Sequence, residues 1–243
     1  MHPSADSTGP KKTQQTYTQN LSDLFKPIRN LIPFGAPSST PSSRLFARVP
    51  ASTVILVIGL DGAGKTTLLR DYLSPRPDSV KTITPTINTG ISLEDLQVGP
   101  AFFQAYDLGG CRPPYYHRFD EDLFRQADAV IYMVDAADRD RVMEAREELI
   151  MSGLRANNGG MRQGVPLLVL ATKIDLENGR RPDQIETFFI DNISTSIGDR
   201  PRNVVGVNLK TGEGVSHALS WLSDGLSPRK DTLYNEKTAS TEK

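Results

Sequence analysis

The chain has 243 residues, 28 Lys and Arg against 29 Asp and Glu, a formal net charge of −1, and a single cysteine, Cys111. That balance excludes a generally basic nucleic-acid coat, and one cysteine excludes an internal disulfide framework or a Cys-rich zinc site. No run of about 18 apolar residues is present to span a bilayer, and the N-terminus lacks the basic-then-apolar layout of a secretory signal.

Residues 1–50 hold 7 of the 17 prolines, 7 serines, six basic residues and two acids. So few apolar groups cannot offset the entropy of ordering, and the stretch is expected to be largely disordered. One island interrupts it: Leu21, Leu24, Phe25, Ile28, Leu31, Ile32 and Phe34 share a helical face flanked by Lys26 and Arg29. This amphipathic segment, residues 21–34, is a candidate for peripheral membrane contact or a protein partner. Pro27 works against a regular helix there, and docking onto the domain's own surface stays open. With His2 instead of Gly and no C-terminal cysteine, neither myristoyl nor prenyl attachment is expected to assist. From Ser227 onward the chain is polar, so 227–243 reads as a flexible tail.

Between these ends, residues 51–226 alternate apolar strands with helical segments. Strands are expected at 53–60, 91–98, 101–108, 129–134, 165–171 and 204–207. Helices are expected at 65–73, 115–126, 139–155, 182–192 and 213–226. Continuous apolar strands spaced by helices predict an α/β fold, a six-stranded, mostly parallel sheet with helices on both faces. Only Gly99-Pro100 separates the second and third strands, which requires a hairpin and one antiparallel pair.

After the first strand comes Gly59-Leu60-Asp61-Gly62-Ala63-Gly64-Lys65-Thr66-Thr67, matching G-x-x-x-x-G-K-[ST] between a strand and a helix. Its glycines allow backbone N–H groups to curl around phosphate oxygens, and the following helix start favours the same anion. Lys65 is placed to reach the β and γ phosphates, and Thr66 to offer a hydroxyl to Mg²⁺. The signal points to a nucleoside triphosphate without naming the base.

Thr172-Lys173-Ile174-Asp175 follows an apolar strand and resembles the N/T-K-x-D element of GTPases. An Asp175 carboxylate suits guanine N1–H and N2–H₂ together, a donor pair that adenine lacks, and Lys173 would lie over the ring. Asp107-Leu108-Gly109-Gly110 closes the third strand, where Asp107 is a candidate Mg²⁺ ligand through water and Gly110 a backbone donor to the γ-phosphate. Thr86, in Thr84-Pro85-Thr86, is a further metal ligand available when the γ-phosphate draws its loop inward. Thr86 and Gly110 together make a two-state sensor of triphosphate against diphosphate.

Taken together, these motifs resemble the Arf/Arf-like small GTPase family across about 175 residues. The phosphate loop resembles that family's, Asp61 included. Pro85-Thr86-Ile87 and Asp107-Leu108-Gly109-Gly110 resemble its two switches. Asp135-Ala136-Ala137-Asp138-Arg139-Asp140-Arg141-Val142, followed by Glu144-Ala145-Arg146-Glu147-Glu148-Leu149, is the nearest match. Asn208-Leu209-Lys210-Thr211-Gly212 sits where the family's last guanine-contacting loop falls, placing Leu209 and Lys210 at the base. The resemblance implies a Ras-like P-loop fold, GTP/GDP with Mg²⁺, and control by exchange factors and effector proteins. It also implies a switch in membrane traffic or ciliary and organelle regulation. The single cysteine and the lack of a signal or span read as a cytoplasmic protein of a reducing compartment, with residues 21–34 the candidate for peripheral contact with intracellular membranes.

Several residues depart from the pattern. Cys111 stands where the family usually places the Gln that orients the attacking water. A thiol is shorter and a weak hydrogen-bonding group, so hydrolysis is expected on the order of 10⁻⁴ s⁻¹ or slower unless a partner supplies the missing group. A non-cycling, GTP-bound scaffold is the alternative. Arg112-Pro113-Pro114 predicts an irregular second switch, with Tyr115, Tyr116 and Phe119 as a candidate effector-facing patch. Tyr106 replaces a customary tryptophan and Asn88 a glycine.

Overall fold

The computed structural model describes residues 41–74, 81–83, 93–108, 124–154, 161–189 and 198–227. Among them, a short helix α1 (Pro41–Leu45) and a 3₁₀ turn (Phe46–Arg48) precede strand β1 (Thr53–Leu60). Helix α2 starts at Lys65–Thr67 and continues with wider, π-type winding through Leu68–Leu73. Strands β2 (Lys81–Ile83), β3 (Leu93–Val98), β4 (Ala101–Leu108) and β5 (Ala129–Asp135) follow. Helix α3 (Val142–Glu148) again passes into π-type winding, at Leu149–Leu154. Strand β6 (Leu167–Thr172), helix α4 (Pro182–Phe189), strand β7 (Arg202–Val207) and helix α5 (Val215–Leu226) complete the order.

The strands form one sheet in the order β2-β3-β4-β1-β5-β6-β7. Pairs β4/β1, β1/β5, β5/β6 and β6/β7 are parallel, as expected of apolar strands joined by helical crossovers. The hairpin at Gly99-Pro100 makes β3/β4 antiparallel, with Val98 opposite Ala101. The six expected strands are thus all present. The three-residue β2 extends the β3 edge and adds a second antiparallel pair. Of the expected helix 115–126, only residues 124–126 are described, and these are helical.

The central strands read as unbroken apolar runs because they are covered on both faces. On one face Ile55, Val57, Phe103, Ile131, Leu168 and Leu170 pack with Leu68, Leu69 and Leu73 of α2 and Val215, Ala218, Leu219 and Leu222 of α5. The α5 set repeats at i, i+3, i+4 and i+7, a single helical stripe. The opposite face places Tyr132 against Phe189, ring centroids 6.1 Å apart, and the Tyr132 hydroxyl donates to the Ala145 carbonyl of α3.

The packed domain begins earlier than residue 51, the boundary expected from the Pro/Ser-rich composition. Phe46 is fully buried and meets Phe103 edge-on at 5.1 Å, and Val49 is 4% exposed. The Ser42 hydroxyl donates to the Tyr72 carbonyl, and the Ser223 hydroxyl to that of Leu45. Residues 41–50 therefore close one end of the core. The amphipathic island at 21–34 lies outside the described residues.

Candidate functional site

Parallel strands deliver their following loops to one edge of the sheet, and the loops after β1, β5, β6 and β7 meet there. The loop after β1 turns where Ala63 N–H donates to the Leu60 carbonyl at 3.3 Å. Two glycines, Gly59 at the end of β1 and Gly64 at the end of the loop, are required by geometry. A Cβ on Gly59 would lie 2.2 Å from the Met133 carbonyl oxygen of β5, and Gly64 has φ +97°. A Cβ on Gly64 would also lie 2.7 Å from Leu209 Cδ1, so the loop after β7 rests directly on the loop after β1.

Lys65 is 5% exposed. Its Nζ donates to the carbonyls of Gly59 at 3.0 Å and Leu60 at 2.7 Å, so the ammonium curls back over the loop. Gly62 and Thr66 are exposed, Thr67 is half-buried, and Ala63 is buried. The Asp61 side chain points to Arg141, whose Nη1 lies 2.7 Å from Asp61 Oδ1. That guanidinium holds the Asp61 carboxyl below the usual carboxylate range, and the pairing raises the Arg141 pKa in turn.

The loop after β6 is tied to this cradle. The Thr172 hydroxyl, fully buried, lies 3.0 Å from the Ala63 carbonyl and 3.2 Å from that of Val134. Thr172 thus contacts the loop after β1 rather than open surface. Lys173 adopts φ +58°, uncommon for a residue with a Cβ, and its Nζ pairs with Asp135 Oδ2 at 2.5 Å. Asp135 Oδ1 accepts the Ala137 N–H at 3.0 Å, which fixes the carboxylate at the end of β5. Asp175 Oδ2 meets Lys210 Nζ at 3.3 Å. Asn208 holds that second loop by accepting Lys210 N–H on its side chain at 2.9 Å and Gly212 N–H on its carbonyl at 2.8 Å. The Tyr72 hydroxyl of α2 donates to the Leu209 carbonyl at 2.7 Å, and burial raises its pKa.

The structure thus brings Gly59, Asp61, Gly62, Ala63, Gly64, Lys65, Thr66, Thr67, Thr172, Lys173, Asp175, Leu209 and Lys210 to one sheet edge. Asp107 belongs to β4, its backbone in register with Gly59 of β1. Thr86, Gly110 and Cys111 lie outside the described residues, as do Asn88, Tyr115, Tyr116 and Phe119. Sequence reasoning did not single out Tyr72, Asp135 or Arg141 as site residues. Asp135 had a signal, an acid closing an apolar strand. Tyr72 and Arg141 reach partners 137 and 80 residues away, and no local pattern marks such contacts.

The sequence model of the ADP-ribosylation factor family matches residues 43–226, which begins within α1 and ends with α5. The chain is 35% identical over 170 residues to ADP-ribosylation factor-like protein 3 of Chlamydomonas reinhardtii, covering 69% of this chain and 87% of that one. It is 35% identical over 179 residues to the ADP-ribosylation factor-like protein 1 of Drosophila melanogaster and to that of Caenorhabditis elegans, in each case 72% of this chain and 90% of the relative. With a glycine-lined loop on the first strand, a Thr-Lys-x-Asp loop bonded to it, and a family match across the whole α/β domain, the chain belongs to the ADP-ribosylation factor family of guanine-nucleotide-binding proteins.

Proposed function

We propose that this protein is a switch operated by GTP and GDP, with Mg²⁺ bound alongside the triphosphate. The observation that carries the reading is the direct joining of two loops: the Thr172 hydroxyl on the Ala63 carbonyl links the loop suited to phosphates to the loop bearing Asp175. One ligand spanning both loops needs anionic oxygens at one end and a paired N–H donor face at the other, which describes a guanine nucleotide. Lys65 supplies positive charge to the β and γ phosphates. Asp175 accepts from the base, and the Lys173 and Lys210 stems flank it.

Thr66, in the first turn of α2, and Asp107, in β4 in register with Gly59, are hard oxygen donors, the donor chemistry Mg²⁺ prefers. Thr86 completes the metal set when the γ-phosphate is present, and Gly110 donates its N–H to that phosphate. These two positions are the sensor. Exchange factors reload the site and effector proteins read it, in membrane traffic or ciliary and organelle regulation. Residues 21–34 supply peripheral contact with intracellular membranes. Among the described residues no helix is long and apolar enough to cross one.

Turnover is slow in this reading because Cys111 cannot orient water as an amide does. Single-turnover hydrolysis by the natural chain and by Cys111→Gln tests this. The glutamine variant should be faster, and equal rates would remove the account of Cys111. The same residue favours a second reading, a scaffold that holds GTP without cycling. Purified protein carrying GTP with no measurable release would support the scaffold, and exchangeable GDP the switch.

A further inference from the structure

Asp61 places a carboxylate on a loop whose other features suit anionic oxygens. Its side chain is 71% exposed, so burial does not suppress its charge. Arg141, in the turn before α3, grips that one residue twice: Nη1 to Asp61 Oδ1 at 2.7 Å and Nη2 to the Asp61 carbonyl at 3.0 Å. The guanidinium is itself fixed from the other side. Its Nε donates to Asp138 Oδ2 at 2.9 Å, and the Arg141 N–H donates to Asp138 Oδ1 at 3.2 Å. Only a planar fork of donors can serve both acids and the carbonyl at once. Asp61 sits in the same loop as Lys65, between Gly59 and Gly64, so its carboxylate belongs to the loop that would receive the phosphates.

We propose that Arg141 is a positioning residue that sets how strongly this site prefers a nucleoside triphosphate over a diphosphate, by holding Asp61 against the 138–141 turn and cancelling its charge beside the phosphate loop. The inference rests on the nucleotide reading above. A terminal γ-phosphate adds negative charge that a diphosphate lacks. An uncompensated Asp61 carboxylate would therefore penalise triphosphate more than diphosphate. The clamp removes that penalty and keeps the Asp61 peptide in place for either ligand.

The test is the ratio of dissociation constants for a non-hydrolysable GTP analogue and GDP, measured with Mg²⁺ on the full chain. Arg141→Ala should shift the ratio toward GDP by about three- to fivefold, the scale of a partly exposed ion-pair network. Adding Asp61→Asn in that background should return the ratio to the natural value, because the charge needing compensation is gone. Asp61→Asn alone should move the ratio toward triphosphate, and this variant removes no buried group. Equal weakening of both ligands by Arg141→Ala, or a shift that persists in the double variant, would overturn the inference, as would an unchanged ratio in Asp61→Asn. Should the natural chain bind neither nucleotide, the nucleotide reading itself has failed, a result distinct from a lost preference.

Discussion

Replacing Thr172 with valine tests the joint between the loops after β1 and β6, proposed above to hold the nucleotide, with almost no change in shape. The side chain is fully buried, and its hydroxyl lies within hydrogen-bond distance of two carbonyls, Ala63 at 3.0 Å and Val134 at 3.2 Å. Valine fills the space but leaves a buried carbonyl without that donor, a loss of about 1–3 kcal/mol. For a domain of this size the melting midpoint should fall by about 2–12 °C. The two loops would also part more easily, so release of a fluorescent GDP analogue should accelerate, by about fivefold for each kcal/mol expressed in the bound state. Thr172→Ser keeps the hydroxyl and loses one methyl group, about 1 kcal/mol of stability, and should release GDP at the natural rate. Stopped-flow displacement on the three proteins decides the matter. Natural release rates in Thr172→Val, or equal acceleration in serine and valine variants, would refute the role given to this hydroxyl.

Phe46→Ala should cost about 3–5 kcal/mol in chemical denaturation, since a fully buried ring on Phe103 is lost, and removing residues 1–50 should destabilise far more than removing 1–40. Thr66→Asn should weaken Mg²⁺-dependent GTP binding more than GDP binding, read by calorimetry with each nucleotide. The Asp61 carboxyl, held down mainly by its hydrogen bond from Arg141, should titrate below its ordinary 3.8 in carbon-detected NMR and return toward it in Arg141→Ala. The sign for stability follows: the pair contributes above that ordinary value and is lost as pH falls through the lower folded one. Because the side chain is mostly exposed, the contribution is a fraction of a kcal/mol.

The sheet was legible because parallel strands buried on both faces leave unbroken apolar runs. Thr53–Leu60 and Ala101–Leu108 fall where the residues alone put them, and Gly99-Pro100 announces the hairpin. Strand and helix ends were read less well. The third helix starts at Val142 rather than 139, because Asp138 and Arg141 bond to each other in the preceding turn. The π-type winding of Leu68–Leu73 leaves no mark on apolar spacing. Residues 41–50 were hidden by their company: Phe46 sits in a stretch rich in proline, serine and basic residues, and its burial depends on Phe103, 57 positions later. In the proposed site, the glycines and Lys65 stand out in the sequence because the G-x-x-x-x-G-K-[ST] pattern fixes their spacing. Tyr72 and Arg141 were not, since their value lies in partners that only the fold brings near.

The measurement closest to the central claim is calorimetry of the purified chain with Mg²⁺ and either GTP or ATP, repeated on Asp175→Asn. The account predicts tight GTP binding, far weaker ATP binding, and loss of that difference in the variant. GTP and ATP binding alike to the natural chain, or Asp175→Asn keeping full GTP affinity, would contradict it.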